Sequence, residues 1–330
     1  MTTAYERTRQ LLLSRPRNWL VTGAAGFIGS HLAETLLALG QTVAGLDNYS
    51  AGRAENIAPF LDHPSFTFFE GDIRNFADCE RGCDGVDVVL HHAARASVPW
   101  SVEHPEETHE NNATGFLNIL EAVTKQGRAR VVYASSSAVY GDLPGLPKNE
   151  DDPLFPFLSH YALSKRMNEE HAALYASLYG VPSVGFRYFN IFGPRQDPKG
   201  PYAAVISRWM SDLKSGRRIT IYGDGSNTRD FCSVADVVQA NILAGVTEDP
   251  EALNQVYNVG RGEPIDLLSL AHLMGRVLSR EPRPVFEPFR MGDILHSSSS
   301  IVKARRLLGF EPEITLEEGL AELAAEKNPL

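Results

Sequence analysis

The chain has 330 residues, 43% of them apolar and 22% charged, and a net charge of −10, which is enough for one large soluble domain or two interleaved ones. Acidic charge spread along the chain argues against nucleic acid or an anionic membrane as the main partner, and the apolar stretches are strand-sized, too short for a transmembrane helix. Cys79, Cys83 and Cys232 form neither a disulfide framework nor a zinc set and point to a reducing cytoplasm.

In chain order, residues 1–17 are polar with a short Leu11–Leu13 cluster, which reads as a helix on the outside of the domain and not as a signal peptide. Residues 17–22 then read as a short apolar strand, followed at once by Gly23-Ala24-Ala25-Gly26-Phe27-Ile28-Gly29 and a helical pattern over 30–39. Strand, glycine turn and helix make a cradle for a pyrophosphate at a helix N-terminus. Gly23 suits the tight turn, Gly26 the close approach of phosphate and Gly29 close helix packing. A second strand over 42–46 ends in Asp47, whose carboxylate can accept from both hydroxyls of an adenosine ribose and repels a 2′-phosphate, favouring NAD over NADP.

Further strands follow over 65–70, 86–92, 130–135 and 183–188, with helices between them that include 110–125 and 159–179. The alternation implies a parallel sheet covered on both faces. Gly71-Asp72-Ile73, Ala93-Ala94, the stretch 135–137 and Tyr188-Phe189-Asn190 all fall at the carboxyl ends of its strands, where such sheets bind ligands. After Asn190 the texture changes. A turn-rich stretch over 193–201 precedes a helix over 202–213 and a strand over 218–222. Residues 236–246 and 255–260 return to the sheet, and 261–330 supply two or three helices with a Pro-rich crossover at 281–288.

Tyr161 and Lys165 lie four apart, one turn of helix, on one face, and Ser136 precedes Tyr161 by 25 residues. An unassisted phenol, with a pKa of about 10, is a poor base at neutral pH. A nearby ammonium favours the phenolate, and a serine hydroxyl can share or relay its proton.

Together these residues resemble the extended short-chain dehydrogenase/reductases over essentially the whole chain. The resemblance is carried by Thr22–Gly29, Asp47-Asn48, Gly71-Asp72-Ile73, His92-Ala93-Ala94, Ser135–Gly141, Tyr161-x-x-x-Lys165, Arg187-Tyr188-Phe189-Asn190, Thr228-Arg229-Asp230-Phe231 and Arg290–Asp293. It is closest to nucleotide-sugar 4-epimerases, and within them to bacterial enzymes acting on UDP-N-acetylhexosamines, through Ser97-Val98-Pro99, Arg195–Pro198, 202–206 and 290–297. It implies a Rossmann-type doubly wound α/β sheet with a smaller C-terminal α/β substrate domain. Residues 1–192 plus about 232–260 would bind NAD, and about 193–231 plus 261–330 the UDP-sugar. Expected cofactor contacts are Gly23, Gly26, Phe27, Ile28, Gly29, Asp47, Asn48, Asp72, Ile73, Ala93, Ala94, Tyr161, Lys165 and Tyr188.

By the same resemblance Tyr161 takes the proton of the sugar 4-hydroxyl, Lys165 lowers the Tyr161 pKa and Ser136 bonds the same hydroxyl. A 4-keto sugar turns about its phosphate link before hydride returns, and NAD is retained. Ser97, Ser136, Ser137, Asn190, Ala204, Val205, Tyr222, Arg229, Arg290, Asp293 and Ser297 are the expected substrate contacts. Arg229 and Arg290 suit phosphate and Asp293 the uridine ribose. Family members that dehydrate or decarboxylate carry acids after the Ser136 position. Ser137 and Ala138 stand here, pointing to simple 4-epimerisation. Small Ser297 leaves room for an N-acetyl group and favours UDP-GlcNAc/UDP-GalNAc. Arg95 and Trp100 depart from the nearest relatives, and Arg95 could pair with a 6-carboxylate, so UDP-glucuronate and UDP-N-acetylglucosaminuronate stay open beside UDP-glucose. Dehydration, decarboxylation or a non-catalytic NAD-binding scaffold fit the retained triad less well. In the family, helices matching 110–125 and 159–179 form a four-helix bundle between two copies, implying a homodimer. No metal is expected.

Overall fold

The structure, a computed structural model, describes residues 2–154, 156–199, 203–289 and 294–326. Helix Ala4–Ser14 opens the chain on a capping box between Thr3 and Glu6 and packs against helix Val234–Val246 with Leu12 fully buried. The strands are β1 (Asn18–Thr22), β2 (Thr42–Asp47), β3 (Phe66–Glu70), β4 (Val88–His91), β5 (Arg130–Ser136), β6 (Ser183–Tyr188), β7 (Asn190–Phe192), β8 (Thr220–Tyr222), β9 (Thr228–Ser233), β10 (Gln255–Val259), β11 (Pro264–Asp266) and β12 (Val285–Glu287).

Seven of them form one parallel sheet in the order β10-β6-β5-β4-β1-β2-β3. β4 and β6 are buried at every position, as a sheet covered on both faces requires. Trp19, Val21, Leu36 and Phe186 belong to the core on one face, Leu20, Val89, Phe116 and Val131 to that on the other. The chain runs outward from β1 to β2 and β3, then crosses back to β4 on the other side of β1. The crevice for ligands opens at that reversal, above the carboxyl ends of β1 and β4.

A third core gathers Phe192, Ile206, Trp209, Ile221, Phe231, Leu270, Met274 and Leu320. Around it β9 pairs with β7 and, antiparallel, with β11, while β8 pairs in parallel with β12. β12 falls inside the stretch read from sequence as a crossover. It has only three residues, with prolines at 282, 284 and 288 around them, so pattern alone hides it.

The expected helix over 110–125 is present, with a π-turn in its first five residues. Helix Pro105–His109 passes through a π-turn at Glu110–Thr114 into helix Gly115–Gln126. The Asn112 side chain is drawn inward there, accepting from Arg95 N at 2.8 Å and donating to Arg95 O at 3.1 Å and Ser164 Oγ at 3.1 Å. Helix His160–Tyr179 is bounded by Ser159 as N-cap and a left-handed Gly180. The three cysteines are buried and unpaired. Among the described residues no helix is long and apolar enough to cross a membrane, and no group of side chains could hold a metal ion.

Candidate active site

The glycine turn closes as its spacing demands. Gly23 has φ +71°, and a Cβ there would stand 2.8 Å from Ala93 N; a Cβ on Gly29 would meet Gly23 O at 2.0 Å. Gly26 is the N-cap of helix Phe27–Ala38, whose first amides point at the crevice. Beside the turn Asp47 ends β2, its Oδ2 accepting from Ala25 N at 2.9 Å and its Oδ1 from Tyr49 N at 2.7 Å. Burial pushes its carboxyl up, and those N–H groups oppose the shift. Each oxygen keeps a further lone pair for a ligand hydroxyl.

A recess of about 70 Å³ here is lined by Gly23, Gly26, Asp47, Asn48, Ile73, Ala93, Ala94 and Asn111. Asp72 does not face it. Its carboxylate is gripped by Arg74 and accepts from Asn48 Nδ2 at 2.9 Å, and the Arg74 guanidinium holds it down at about 2. A larger cavity of about 410 Å³ continues along the sheet edge, lined by Phe27, Ile28, Gly29, Ala94, Ala96, Ser136, Tyr161, Lys165, Tyr188 and Phe189 among others. The structure thus brings the three expected catalytic side chains into one cavity with the glycine turn.

Tyr161 and Lys165 are buried on the inner face of their helix. Lys165 Nζ donates to Ala134 O at 2.8 Å and lies 5.8 Å from the centre of the Tyr161 ring. Burial pushes the Tyr161 phenol up, opposed by a hydrogen bond with Ser136; burial pulls the Lys165 ammonium down to about 8. One of the three ammonium donors of Lys165 is thus engaged by strand β5, and burial is the largest influence on the Tyr161 phenol.

The expected substrate contacts divide. Val205, Tyr222 and Arg229 line a separate cavity of about 140 Å³ with Arg208, Trp209 and Asn227, and Ala204 caps the adjoining helix. Arg229 Nη1 donates to Thr228 O at 2.9 Å and Leu295 O at 3.1 Å. Asn190 Nδ2 donates to Asp230 O at 3.3 Å. Ser97 caps helix Val98–Glu103, accepting from Trp100 N, and Ser137 opens the short 3-10 turn after β5; neither lines the large cavity, although Ala96 does. Ser297 binds β9 through its backbone, N to Thr228 O at 3.1 Å. Arg290 and Asp293 lie outside the described residues. Arg95 is held by Glu107 at 2.9 Å, donates to Ser50 O at 2.8 Å and lies 5.8 Å from the Trp100 ring. It thereby clasps the loop after Asp47.

Other lining groups were missed from sequence. His92 borders both spaces, its Nε2 2.9 Å from the Tyr188 hydroxyl, which also accepts from Asn241 Nδ2 at 2.7 Å. Burial pulls His92 down to about 3, so it is neutral. Its place at the end of β4, beside Ala93-Ala94, was the available signal. Residues 194–197 strap the glycine helix through His31–Pro194 O at 3.0 Å and Arg195–Glu34 at 2.6 Å, and reach the segment after β2 through Arg53–Asp197 at 2.7 Å.

A parallel sheet with its order reversed at a glycine turn, an acid closing β2, and a buried Tyr-Lys pair facing that turn define a dinucleotide-dependent enzyme. Residues 19–260 match the NAD dependent epimerase/dehydratase family. The chain is 38% identical over 310 residues to a UDP-glucose 4-epimerase of Mycolicibacterium smegmatis, covering 92% of this chain and 96% of that protein. Solved structures are similar as well, two of them as follows. A UDP-N-acetylglucosamine 4-epimerase from Methanobrevibacter ruminantium, in complex with UDP-N-acetylmuramic acid, is 36% identical with TM-score 0.88, covering 94% of this chain and 97% of that one. A UDP-glucose 4-epimerase from Thermotoga maritima, with UDP-glucose, is 35% identical with TM-score 0.86, covering 93% and 97%. The chain belongs to the NAD dependent epimerase/dehydratase family and is an NAD-dependent epimerase.

Proposed function

We propose that the protein interconverts the C4 epimers of a UDP-hexose, with UDP-GlcNAc and UDP-GalNAc as the preferred pair. Tyr161 exchanges the proton of the sugar 4-hydroxyl, Ser136 bonds the phenol and that hydroxyl, and Lys165 keeps a positive charge beside the nicotinamide ribose. NAD, when bound, supplies the hydride acceptor and donor at C4. The glycine turn, the amides at Phe27 and Ile28, and Asp47 would hold its pyrophosphate and adenosine ribose. Val205, Tyr222 and Arg229 are assigned to the uridine diphosphate.

One observation carries the choice of reaction. Among the described residues lining the large cavity the only carboxylate is Asp197, which is paired with Arg53. Dehydration and decarboxylation want an acid or base at C5 or C6 in addition to Tyr161; 4-epimerisation does not. The engagement of Arg95 by Glu107 supports a neutral sugar over a uronate. Ser297 is small, which supports an acetamido group at C2.

The division into an NAD-binding unit and a UDP-sugar unit belongs to this proposal and is supported by the separate third core. So does a homodimer, supported by the exposed Leu163, Leu174 and Leu178 on helix His160–Tyr179, and a cytoplasmic setting, supported by the three unpaired thiols. The test is turnover of UDP-Glc, UDP-GlcNAc, UDP-GlcA and UDP-GlcNAcA with separation of the C4 epimers. UDP-GlcNAc is expected to be converted fastest; a uronate turned over faster overturns the sugar assignment, and no turnover of any overturns the reaction.

A further inference from the structure

One row of the sheet lies directly beneath the catalytic edge. Ser135 on β5 is in register with Arg187 on β6, and Arg187 with Asn258 on β10; the next row up carries Ser136 and Tyr188. Their side chains are tied together. Arg187 meets Glu169 through two bonds, Nε to Oε1 at 2.9 Å and Nη2 to Oε2 at 2.8 Å, with the two side chains 3% and 2% exposed. Ser135 Oγ donates to Glu169 Oε1 at 2.6 Å. Arg187 Nη1 donates to the Tyr140 hydroxyl at 3.0 Å, and that hydroxyl donates to Asn258 Oδ1 at 2.7 Å.

Glu169 stands two turns beyond Tyr161 and one beyond Lys165, so the three share a helix face. That face meets the end of β5 at three successive residues: Lys165 on Ala134 O, Glu169 on the Ser135 hydroxyl, Tyr161 on Ser136. The first two contacts pin helix to strand, and the third is the proton-transfer contact they leave in place. Two turns put Glu169 about 12 Å along the axis from Tyr161, so it touches neither sugar nor nicotinamide.

We propose that Glu169 and Arg187 are positioning residues: the buried pair sets the spacing between the Tyr161 phenol and the Ser136 hydroxyl. The proposal rests on the assignment of Tyr161 as the base. Stability alone is a poor reason for such a pair, because apolar replacements of buried ion pairs are often neutral or stabilising. Geometry is a better one, because a displacement of about 1 Å at reacting groups costs on the order of 100-fold in rate. Burial works to raise the Glu169 carboxyl, but Arg187, Ser135 and Arg166 hold it below its ordinary value, so it stays an acceptor for both neighbours. Tyr133 faces it from β5. Around Tyr161 the titratable groups are Lys165 on its own helix and His92 across the cavity.

The experiment compares the pH dependence of kcat in wild type, Glu169→Gln, Ser135→Ala and Tyr161→Phe, with melting temperatures. If the layer sets the spacing, Glu169→Gln weakens the Ser136 bond that lowers the Tyr161 pKa. kcat at neutral pH falls about 10- to 100-fold, KM changes little, and the acid limb moves to higher pH so that activity recovers on raising pH. Ser135→Ala, which removes one hydroxyl, moves the limb the same way by less and decides the matter if Glu169→Gln does not fold. An unmoved limb in the variants that fold, whatever their melting temperature, overturns the proposal. Tyr161→Phe separates the two readings: if it is inactive while the limb stays put, only the positioning role fails, whereas if it stays active the assignment of the base fails and the proposal with it.

Discussion

The two sides of the crevice are built differently. On the β1–β3 side Asp47 is held by two backbone amides, Asn48 reaches Asp72, and Asp72 is clamped by Arg74. The glycine turn has no room for a single Cβ at Gly29. On the β4–β6 side Tyr161, Ser136 and His92 supply polar atoms, but much of the wall is Ala94, Ala96, Phe189 and Ile191. One side is held rigid by directed hydrogen bonds within the protein; the other gives shape with few anchors. That contrast suits a reaction in which the dinucleotide stays put and a sugar presents both of its faces to it.

The contrast breaks most sharply at Tyr161. Tyr161→Phe is expected to lower kcat by about 10²–10⁴ with NAD affinity, assigned chiefly to the glycine turn and Asp47, falling far less, measured by turnover and by cofactor titration. A loss of NAD binding as large as the loss of kcat would mean that the Tyr161 side is a main anchor of the dinucleotide. Lys165→Met comes next, with a loss of about 100-fold in kcat and no loss of stability. Its folded pKa is about 8 against 10.5 as an ordinary lysine, so at pH 7 the ammonium is charged in both states and the folded state bears a burial penalty on the order of 3 kcal/mol. The bond lost to Ala134 O is worth about 1 kcal/mol. Between pH 8 and 10.5 the unfolded chain holds more protons, so wild-type stability rises with pH across that window. Thermal melts at the two ends of the window are expected to show that rise in wild type and not in Lys165→Met; a variant that melts well below wild type at neutral pH would show the cation to be stabilising.

The same division explains what could be read from sequence. The β1–β3 side is written in local signals: glycines three apart between a strand and a helix, and an acid one strand later. Tyr161, Lys165 and Ser136 were legible because helix spacing and strand ends put them on the same edge. The partners of long side chains were not. Arg95 is answered by Glu107, Arg187 by Glu169 and Arg53 by Asp197, and no local pattern announces a pairing made across the fold. The π-turn at Glu110–Thr114 was hidden too; the Asn112 side chain within it makes its bonds to the Arg95 backbone and Ser164, both distant in sequence. β12 was hidden by its length and its prolines.

Asp47→Asn sharpens the contrast from the rigid side. An amide can accept through only one of its two ends, so either Ala25 N or Tyr49 N loses its acceptor, and the ribose loses a charged one. NAD affinity is expected to fall about 10- to 100-fold, the range for a hydrogen bond to a charged group, while rejection of NADP weakens because the negative charge is gone. Calorimetric titration with both cofactors measures this; an unchanged preference would place the discrimination elsewhere on the β1–β3 side.

The smallest expected effect lies on the permissive side. Ser297 follows His296 in a segment bound to β9 by backbone, and its side chain lines neither cavity described above. A tyrosine there has to reach inward to matter, and the segment holds it by Thr228 O and not by its side chain, so the backbone can stay in place while the ring turns toward the sugar. Ser297→Tyr is therefore expected to cut turnover of UDP-GlcNAc about tenfold relative to UDP-Glc, the scale on which a pocket resolves a small change in volume. The measurement is the ratio of kcat/KM for the two sugars. Equal losses would mean that the room for the acetamido group is made by the alanines at 94 and 96, so that the looseness of this side belongs to the sheet edge and not to the segment around Ser297.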